Sequence, residues 1–127
     1  MLGNHPIHPV LLSTDLSKTR SFYHDKLGLS ILIEREDEAI EFRCGGGTKL
    51  VVTKSTTGTA DSQSQLGWEV DDLRAELTEL RTRGVTVEDY DLPGFKTENG
   101  VADFGFAWMA FIIDPSKNAL AIIEHKR

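Results

Sequence analysis

The stretch Val10-Leu11-Leu12-Ser13-Thr14-Asp15-Leu16 decides the fold, because its pattern recurs later as Gly67-Trp68-Glu69-Val70-Asp71-Asp72-Leu73. A single shift in residue number, which we call the first offset, aligns Asp15 with Asp72. The same shift aligns the leucines that follow them, Leu16 and Leu73. In both copies, β-type residues precede the aspartate and a helical pattern follows it. A repeat that carries its own strand and helix predicts two copies of one supersecondary unit that share a core.

Each predicted helix has a recognisable start and stop. Asp15 and Asp72 are suitable N-caps, because their carboxylates can accept hydrogen bonds from the free amides of the first helical turn. The second helix, from about Leu73 to Arg83, places three leucines at i, i+4 and i+7 on one face. Gly28 and Gly84 supply the left-handed residue that ends each helix.

Extended segments complete each unit. Alternation of apolar and polar residues, together with turn residues, predicts strands over 7–13, 29–35, 39–44, 49–54, 65–70, 85–90, 106–113 and 119–124. The later strands of the two copies are aligned by a larger shift in residue number, the second offset, which aligns Val51 with Ala121. The second offset is larger than the first mainly because the second copy contains an extra irregular loop over 92–105. We therefore predict an α+β fold with two tandem β-α-β-β-β modules, about 5–54 and 65–127, joined by a linker over 55–64 within one domain, 1–127.

Composition excludes several classes of function. A net charge of −6 leaves no basic patch for nucleic acid and favours a neutral or cationic small ligand. No apolar run reaches the roughly 18–20 residues that span a bilayer, and no signal-peptide pattern is present at the N-terminus. The single cysteine, Cys44, fits a reducing compartment. We expect a cytoplasmic protein that binds neither nucleic acid nor membrane.

The repeat resembles the vicinal oxygen chelate superfamily, which includes glyoxalase I, extradiol dioxygenases, methylmalonyl-CoA epimerase, and fosfomycin and bleomycin resistance proteins. The resemblance rests on Asp15-Leu16, on Ser21-Phe22-Tyr23 before Leu27-Gly28-Leu29, and on the turn Asp114-Pro115-Ser116-Lys117-Asn118. Lys117 stands in that turn where glycine is usual. The resemblance implies that the strands curl into a cup with the helices outside, and it implies fold more strongly than function.

The resemblance also implies four inward positions that hold a divalent metal in the enzymatic members. In this sequence they carry His8, Val51, Gln65 and Ala121. Histidine and glutamine could each donate one ligand, whereas valine and alanine donate none. Glu124 lies three residues past Ala121 and should face the other side of its strand. We therefore expect no cofactor and no metal site, with a metal held through His8 and Gln65 as the alternative.

Four further residues are candidates for the ligand-binding cup. Strand alternation from Gln65 turns Glu69 inward, where it could bind a cation or pair with an arginine such as Arg43. Phe95 lies in the 92–105 loop, which could close over a ligand or form a dimer contact. Trp108 and Phe111 follow on the next strand. An aromatic-lined cup fits a planar organic molecule.

Three functions fit these observations. The first is a metal-independent homodimer that, like the bleomycin resistance proteins, sequesters an aromatic or cationic compound in its cup. The second is a metal-dependent lyase, isomerase or dioxygenase with non-standard ligands. The third is an accessory domain with no small ligand. We expect the first, because two of the four equivalent positions are aliphatic.

Overall fold

The computed structural model describes residues 1–59 and 63–127 and contains two modules of the predicted order. The first consists of β1 (Val10–Ser13), α1 (Leu16–Arg20) with a wider π-type continuation (Ser21–Lys26), β2 (Ser30–Arg35), β3 (Ala39–Arg43) and β4 (Lys49–Lys54). The second consists of β5 (Ser64–Glu69), α2 (Leu73–Thr82), β6 (Asp91–Leu92), β7 (Phe95–Lys96), β8 (Ala102–Asp103), β9 (Ala107–Ile113) and β10 (Ala119–His125). Of the predicted linker over 55–64, residues 60–62 lie outside the described part.

Each module builds one four-stranded sheet with the same topology. The strand orders are β1-β4-β3-β2 and β5-β10-β9-β8, while β6 and β7 form a separate two-stranded ladder. In both large sheets the first strand of the module pairs in parallel with the last, and the remaining pairs are antiparallel. The predicted α+β class and the repeated order are thus confirmed. No helix within the described residues is long and apolar enough to span a membrane.

The helix boundaries follow from the capping residues. The Asp15 carboxylate accepts hydrogen bonds from the amides of Ser17 (3.0 Å) and Lys18 (3.2 Å). The Asp72 carboxylate accepts one from the Ala75 amide at 3.1 Å. These bonds satisfy amides that have no partner within the helix, which fixes where each helix begins.

The two sheets share one core. In each sheet, alternate residues point toward the helices and join a single cluster of buried apolar side chains. We call this side of each sheet its covered face and the opposite side its open face. On the covered faces lie Leu11, Ile40, Phe42, Leu50 and Val52 in the first sheet, and Leu66, Trp68, Ala110, Ile112, Leu120 and Ile122 in the second. The open faces consist of the residues between these positions.

A polar joint fixes the modules to each other. The hydroxyl of Tyr23, at the end of the first helix, donates to Asp114 Oδ2 over 2.6 Å. The side-chain Nδ2 of Asn118 donates to the Leu12 carbonyl at 2.8 Å, and the backbone amide of Thr14 donates to the Ser116 hydroxyl at 3.1 Å. The turn from Asp114 to Asn118, which contributes to the sequence resemblance, therefore closes the interface between modules.

One predicted strand does not form. The segment Val85 to Tyr90 buries Val85 and Val87, but it does not join a ladder. Its backbone is bonded through Glu88, whose amide donates to the Phe111 carbonyl at 2.8 Å. The alternation of apolar and polar residues correctly predicts that Val85 and Val87 are buried. It does not predict strand hydrogen bonds, because side chains can alternate in burial without a complete ladder.

Candidate functional site

The open face of the second sheet carries an aromatic cluster. Phe111 is a ladder partner of Ala121, which in turn pairs with Gly67 on β5. Phe95, on β7, places its ring 5.5 Å from that of Phe111 and 5.2 Å from that of Tyr90. The structure thus brings three of the predicted site residues, Phe95, Phe111 and Ala121, to one surface.

These rings line a pocket of about 200 Å³, whose walls include Ser64, Tyr90, Phe95, Phe111, Ile113 and Ala119. Edge-to-face and tilted ring contacts of this kind position aromatic groups to receive another planar ring. The pocket is smaller than the roughly 300–1,000 Å³ of typical small-molecule sites. On this open face, one chain therefore provides a wall and an aromatic anchor, but not a complete enclosure for a drug-sized ligand.

Trp108 does not belong to this surface, so its assignment to the cup was wrong. It pairs across the ladder with Glu124, and its ring lies 5.3 Å from the Arg74 guanidinium, beside α2. Trp108 and Phe111 are three residues apart on one strand, an odd separation that places them on opposite faces. Since Phe111 is on the open face, Trp108 must be on the covered face.

Glu124 also lies on the helix side, as strand alternation predicts. Its Oε1 accepts a hydrogen bond from the Leu73 amide at 2.8 Å and so caps the first turn of α2. Glu69 lies on the open face but is largely exposed. Its carboxylate pairs with His125 Nε2 at 3.1 Å and not with Arg43. His125, the last residue of β10, is thus the partner of Glu69.

The four positions that hold metal in enzymatic relatives do not provide a suitable donor set. Val51 and Ala121 have no donor atom, and His8 lies exposed two residues before β1. The Gln65 side-chain carbonyl accepts a hydrogen bond from the Ala119 amide (3.0 Å), beside an irregularity in the β5–β10 ladder. Within residues 1–59 and 63–127, no three His, Cys, Asp or Glu side chains are grouped so as to hold a metal ion. These residues therefore do not fit the metal.

Sequence reasoning missed one charged group on the open face of the first sheet. Glu41 is the ladder partner of Val51, and only 8% of it is exposed. Its carboxylate receives a hydrogen bond from Arg35 and another from Lys49 at 2.9 Å. These two bonds, that from Arg35 first, hold the pKa of the Glu41 carboxyl below its usual range. Strand alternation in the sequence places Glu41 on the other face of its strand from Ile40 and Phe42. This alternation is the sequence signal that could have identified Glu41 as a residue of the open face.

Glu41 and Phe111 occupy equivalent places in the two modules. Glu41 pairs with Val51 and Phe111 pairs with Ala121, so the second offset of the repeat relates both pairs. The two open faces thus carry different chemistry at the same position. The first presents a buried carboxylate held by cations, and the second presents an aromatic ring.

The chain belongs to the Glyoxalase/Bleomycin resistance protein/Dioxygenase superfamily, whose family model matches residues 5–121. This result confirms the resemblance drawn from the repeat and the Asp114 turn. No curated protein matches the sequence significantly.

Solved structures agree on the fold. A glyoxalase/bleomycin resistance protein/dioxygenase from Alicyclobacillus acidocaldarius superposes with a TM-score of 0.73 at 21% identity, covering 98% of this chain and 93% of the other. TnmS3, an antibiotic binding protein from Streptomyces sp. CB03234, gives 0.73 at 21% identity, covering 96% of each chain. Lactoylglutathione lyase from Agrobacterium tumefaciens gives 0.68 at 20% identity, covering 94% and 92%. At these identities the comparisons establish the architecture.

Proposed function

We propose that this protein binds a small aromatic compound, without a metal, on the open face of its second sheet. The observation that carries the proposal is the aromatic pocket of Tyr90, Phe95 and Phe111, built beside Ala121 at a position that has lost its metal ligand. An antibiotic binding protein and a lactoylglutathione lyase both share this fold. The choice of binding over catalysis therefore rests on the aromatic lining of the pocket and on the lack of donor atoms in the side chains of Val51 and Ala121. Sequestration of the compound, not its conversion, is the proposed role.

We further propose that a second copy of the chain completes the site. The pocket in one chain is about 200 Å³, which accommodates a ring but leaves the rest of a larger ligand in solvent. The open face of the first sheet is not covered by the second module, since both covered faces contribute to the shared core. If the open face of the first sheet in one copy packed against the open face of the second sheet in another copy, both surfaces would be buried.

A fluorescence titration with neutral N-phenylnaphthylamine tests the binding function. We expect saturable binding by the wild type and a loss of affinity of about tenfold or more in Phe111→Ala, because the ring contact and the apolar area are both lost. Phe106→Ala is the matched control, since Phe106 is 60% exposed and lies outside the aromatic cluster. Phe111→Leu, which keeps most of the volume, guards against a folding defect. Equal affinities for wild type and Phe111→Ala would refute the proposed pocket.

Two further measurements separate the alternatives. Light scattering should show a dimer, and a strictly monomeric protein that still bound the probe would contradict completion of the site by a second copy. Metal analysis of protein purified without chelators or a histidine tag should show less than stoichiometric metal. One tightly held transition-metal ion per chain would overturn the metal-independent function.

A further inference from the structure

We infer that the ligand of the proposed site carries an anionic group, and that Arg43 and Lys49 on the open face of the first sheet bind it. This inference rests on the proposed function, because it concerns the wall that a second copy would contribute. It goes beyond that function by assigning a chemical class to the ligand. The chain as a whole is acidic, so the inference depends on local charge.

Cations are concentrated on this open face. Arg35, Arg43 and Lys49 share it with one carboxylate, that of Glu41. Glu41 is paired with both Arg35 and Lys49, so its single negative charge is already distributed between two partners. The group of four therefore has a formal charge of +2 within a chain whose net charge is −6.

Among the three cations of this face, Arg43 is the one whose charge is least compensated. It forms no ion pair with a carboxylate in the described ranges, 1–59 and 63–127. It is also the direct ladder partner of Lys49. Directly opposed residues have Cβ atoms about 4.5–5.5 Å apart, and like charges in that arrangement destabilise a sheet. An anion bound between the two side chains would remove this repulsion and gain charge-assisted hydrogen bonds.

The position of the cations relative to the apolar residues defines the shape of the ligand. Val51 lies two residues along β4 from Lys49, on the same face, and pairs with Val10 on one side and Glu41 on the other. A small apolar patch, formed by Val10 and Val51, thus lies next to the cationic pair. A guanidinium binds planar oxyanions through two parallel N–H groups. The matching ligand is an aromatic carboxylate, sulfonate or phosphate, with its ring toward the aromatic pocket and its charge toward Arg43.

A matched pair of probes tests this inference. Anilinonaphthalene sulfonate and N-phenylnaphthylamine share their rings and differ in the sulfonate. We expect wild type to bind the sulfonate at least tenfold more tightly, and Arg43→Gln to remove that preference while the neutral probe binds as before. Arg83→Gln, at the end of α2, removes the same charge at a distance and should change neither affinity. Arg43→Lys, which keeps the charge but not the two parallel N–H groups, should keep only part of the preference. Added KCl should weaken binding of the sulfonate alone.

The outcomes distinguish this inference from the proposed function. Equal affinity for the two probes, or an unchanged preference in Arg43→Gln, overturns the anionic class while Phe111-dependent binding of the neutral probe keeps the function. Failure of the folded protein to bind either probe overturns both. A melting curve for each variant establishes that the protein is folded before titration.

Discussion

Removal of the Tyr23 hydroxyl is the sharpest test of the joint between modules. Tyr23 is fully buried, and its hydroxyl donates to Asp114 Oδ2 over 2.6 Å. The same carboxylate accepts from the amides of Ser116 (2.8 Å) and Asn118 (2.9 Å) and from the Asn118 side chain (2.8 Å). In Tyr23→Phe the carboxylate keeps three of these four donors and loses one short bond that water cannot easily replace.

The expected cost follows from the type of bond. A hydrogen bond to a charged group contributes about 1.5–3 kcal/mol, and complete burial places this one in the upper half of the range. We expect Tyr23→Phe to lower the free energy of unfolding by about 2–3 kcal/mol in urea titrations. At about 4 °C per kcal/mol for a domain of this size, the melting temperature should fall by about 8–12 °C. A loss below about 0.5 kcal/mol, the lower limit for an ordinary hydrogen bond, would refute the view that this bond holds the modules together.

Alkaline pH provides an independent measurement of the same contact. Burial, followed by the nearby Asp114 charge, raises the pKa of Tyr23 well above its usual value near 10. Above that pH the unfolded chain releases the tyrosine proton and the folded chain retains it, so stability falls by about 1.4 kcal/mol per pH unit. We expect this extra slope in wild type and its absence in Tyr23→Phe. Parallel stability curves for the two proteins above about pH 10 would contradict the assignment.

Three further changes have defined outcomes. Lys117 has a left-handed φ of 68°, and its equivalent in the first module is Gly47, with a φ of 76°. Because glycine adopts this conformation without steric cost, Lys117→Gly should raise the free energy of unfolding, measured in urea, by about 0.5–1 kcal/mol. Glu124→Ala removes the cap on the Leu73 amide and should cost about 1–2 kcal/mol in the same assay, whereas Glu124→Gln should recover part of that loss. Because the pKa of Glu41 is lowered in the folded state, its stabilisation is fully present above the pKa of a glutamate in the unfolded chain, about 4.3, and is lost as the pH falls through the lower folded-state pKa. Glu41→Gln should therefore flatten the acid limb of the curve of stability against pH. An unchanged acid limb would show that the ion pairs contribute nothing.

The fold could be predicted because local signals and the repeat agree. Asp15 and Asp72 cap their helices as expected, and the first offset of the repeat places β1 and β5 in equivalent ladders. The strand over 85–90 could not be predicted correctly, because its side-chain pattern does not reveal whether a neighbouring backbone lies within bonding distance. The bond from Glu88 to Phe111 depends on tertiary placement.

The site was predicted in part. Phe95 and Phe111 were expected on one surface, and they contact each other there. Trp108 lies on the opposite face from Phe111, because the two residues are an odd number of positions apart on β9. The ion pairs of Glu41 were missed because Arg35 and Lys49 belong to neighbouring strands, and their convergence depends on ladder register. Short-range patterns identify which residues share a face, whereas charge pairing across strands requires the pairing itself.

The joint at Asp114 also constrains how the protein is made. Tyr23 and Asp114 are 91 residues apart in the chain. At a synthesis rate of about 5–20 residues per second, about 5–18 s therefore pass between the synthesis of Tyr23 and that of Asp114. During that interval the covered face of the first module is protected only by its own helix, since the other side chains that complete the core belong to the second module. The nascent chain is therefore most vulnerable to aggregation between the two halves of its own synthesis. Slower translation of the second half should increase the demand for chaperones.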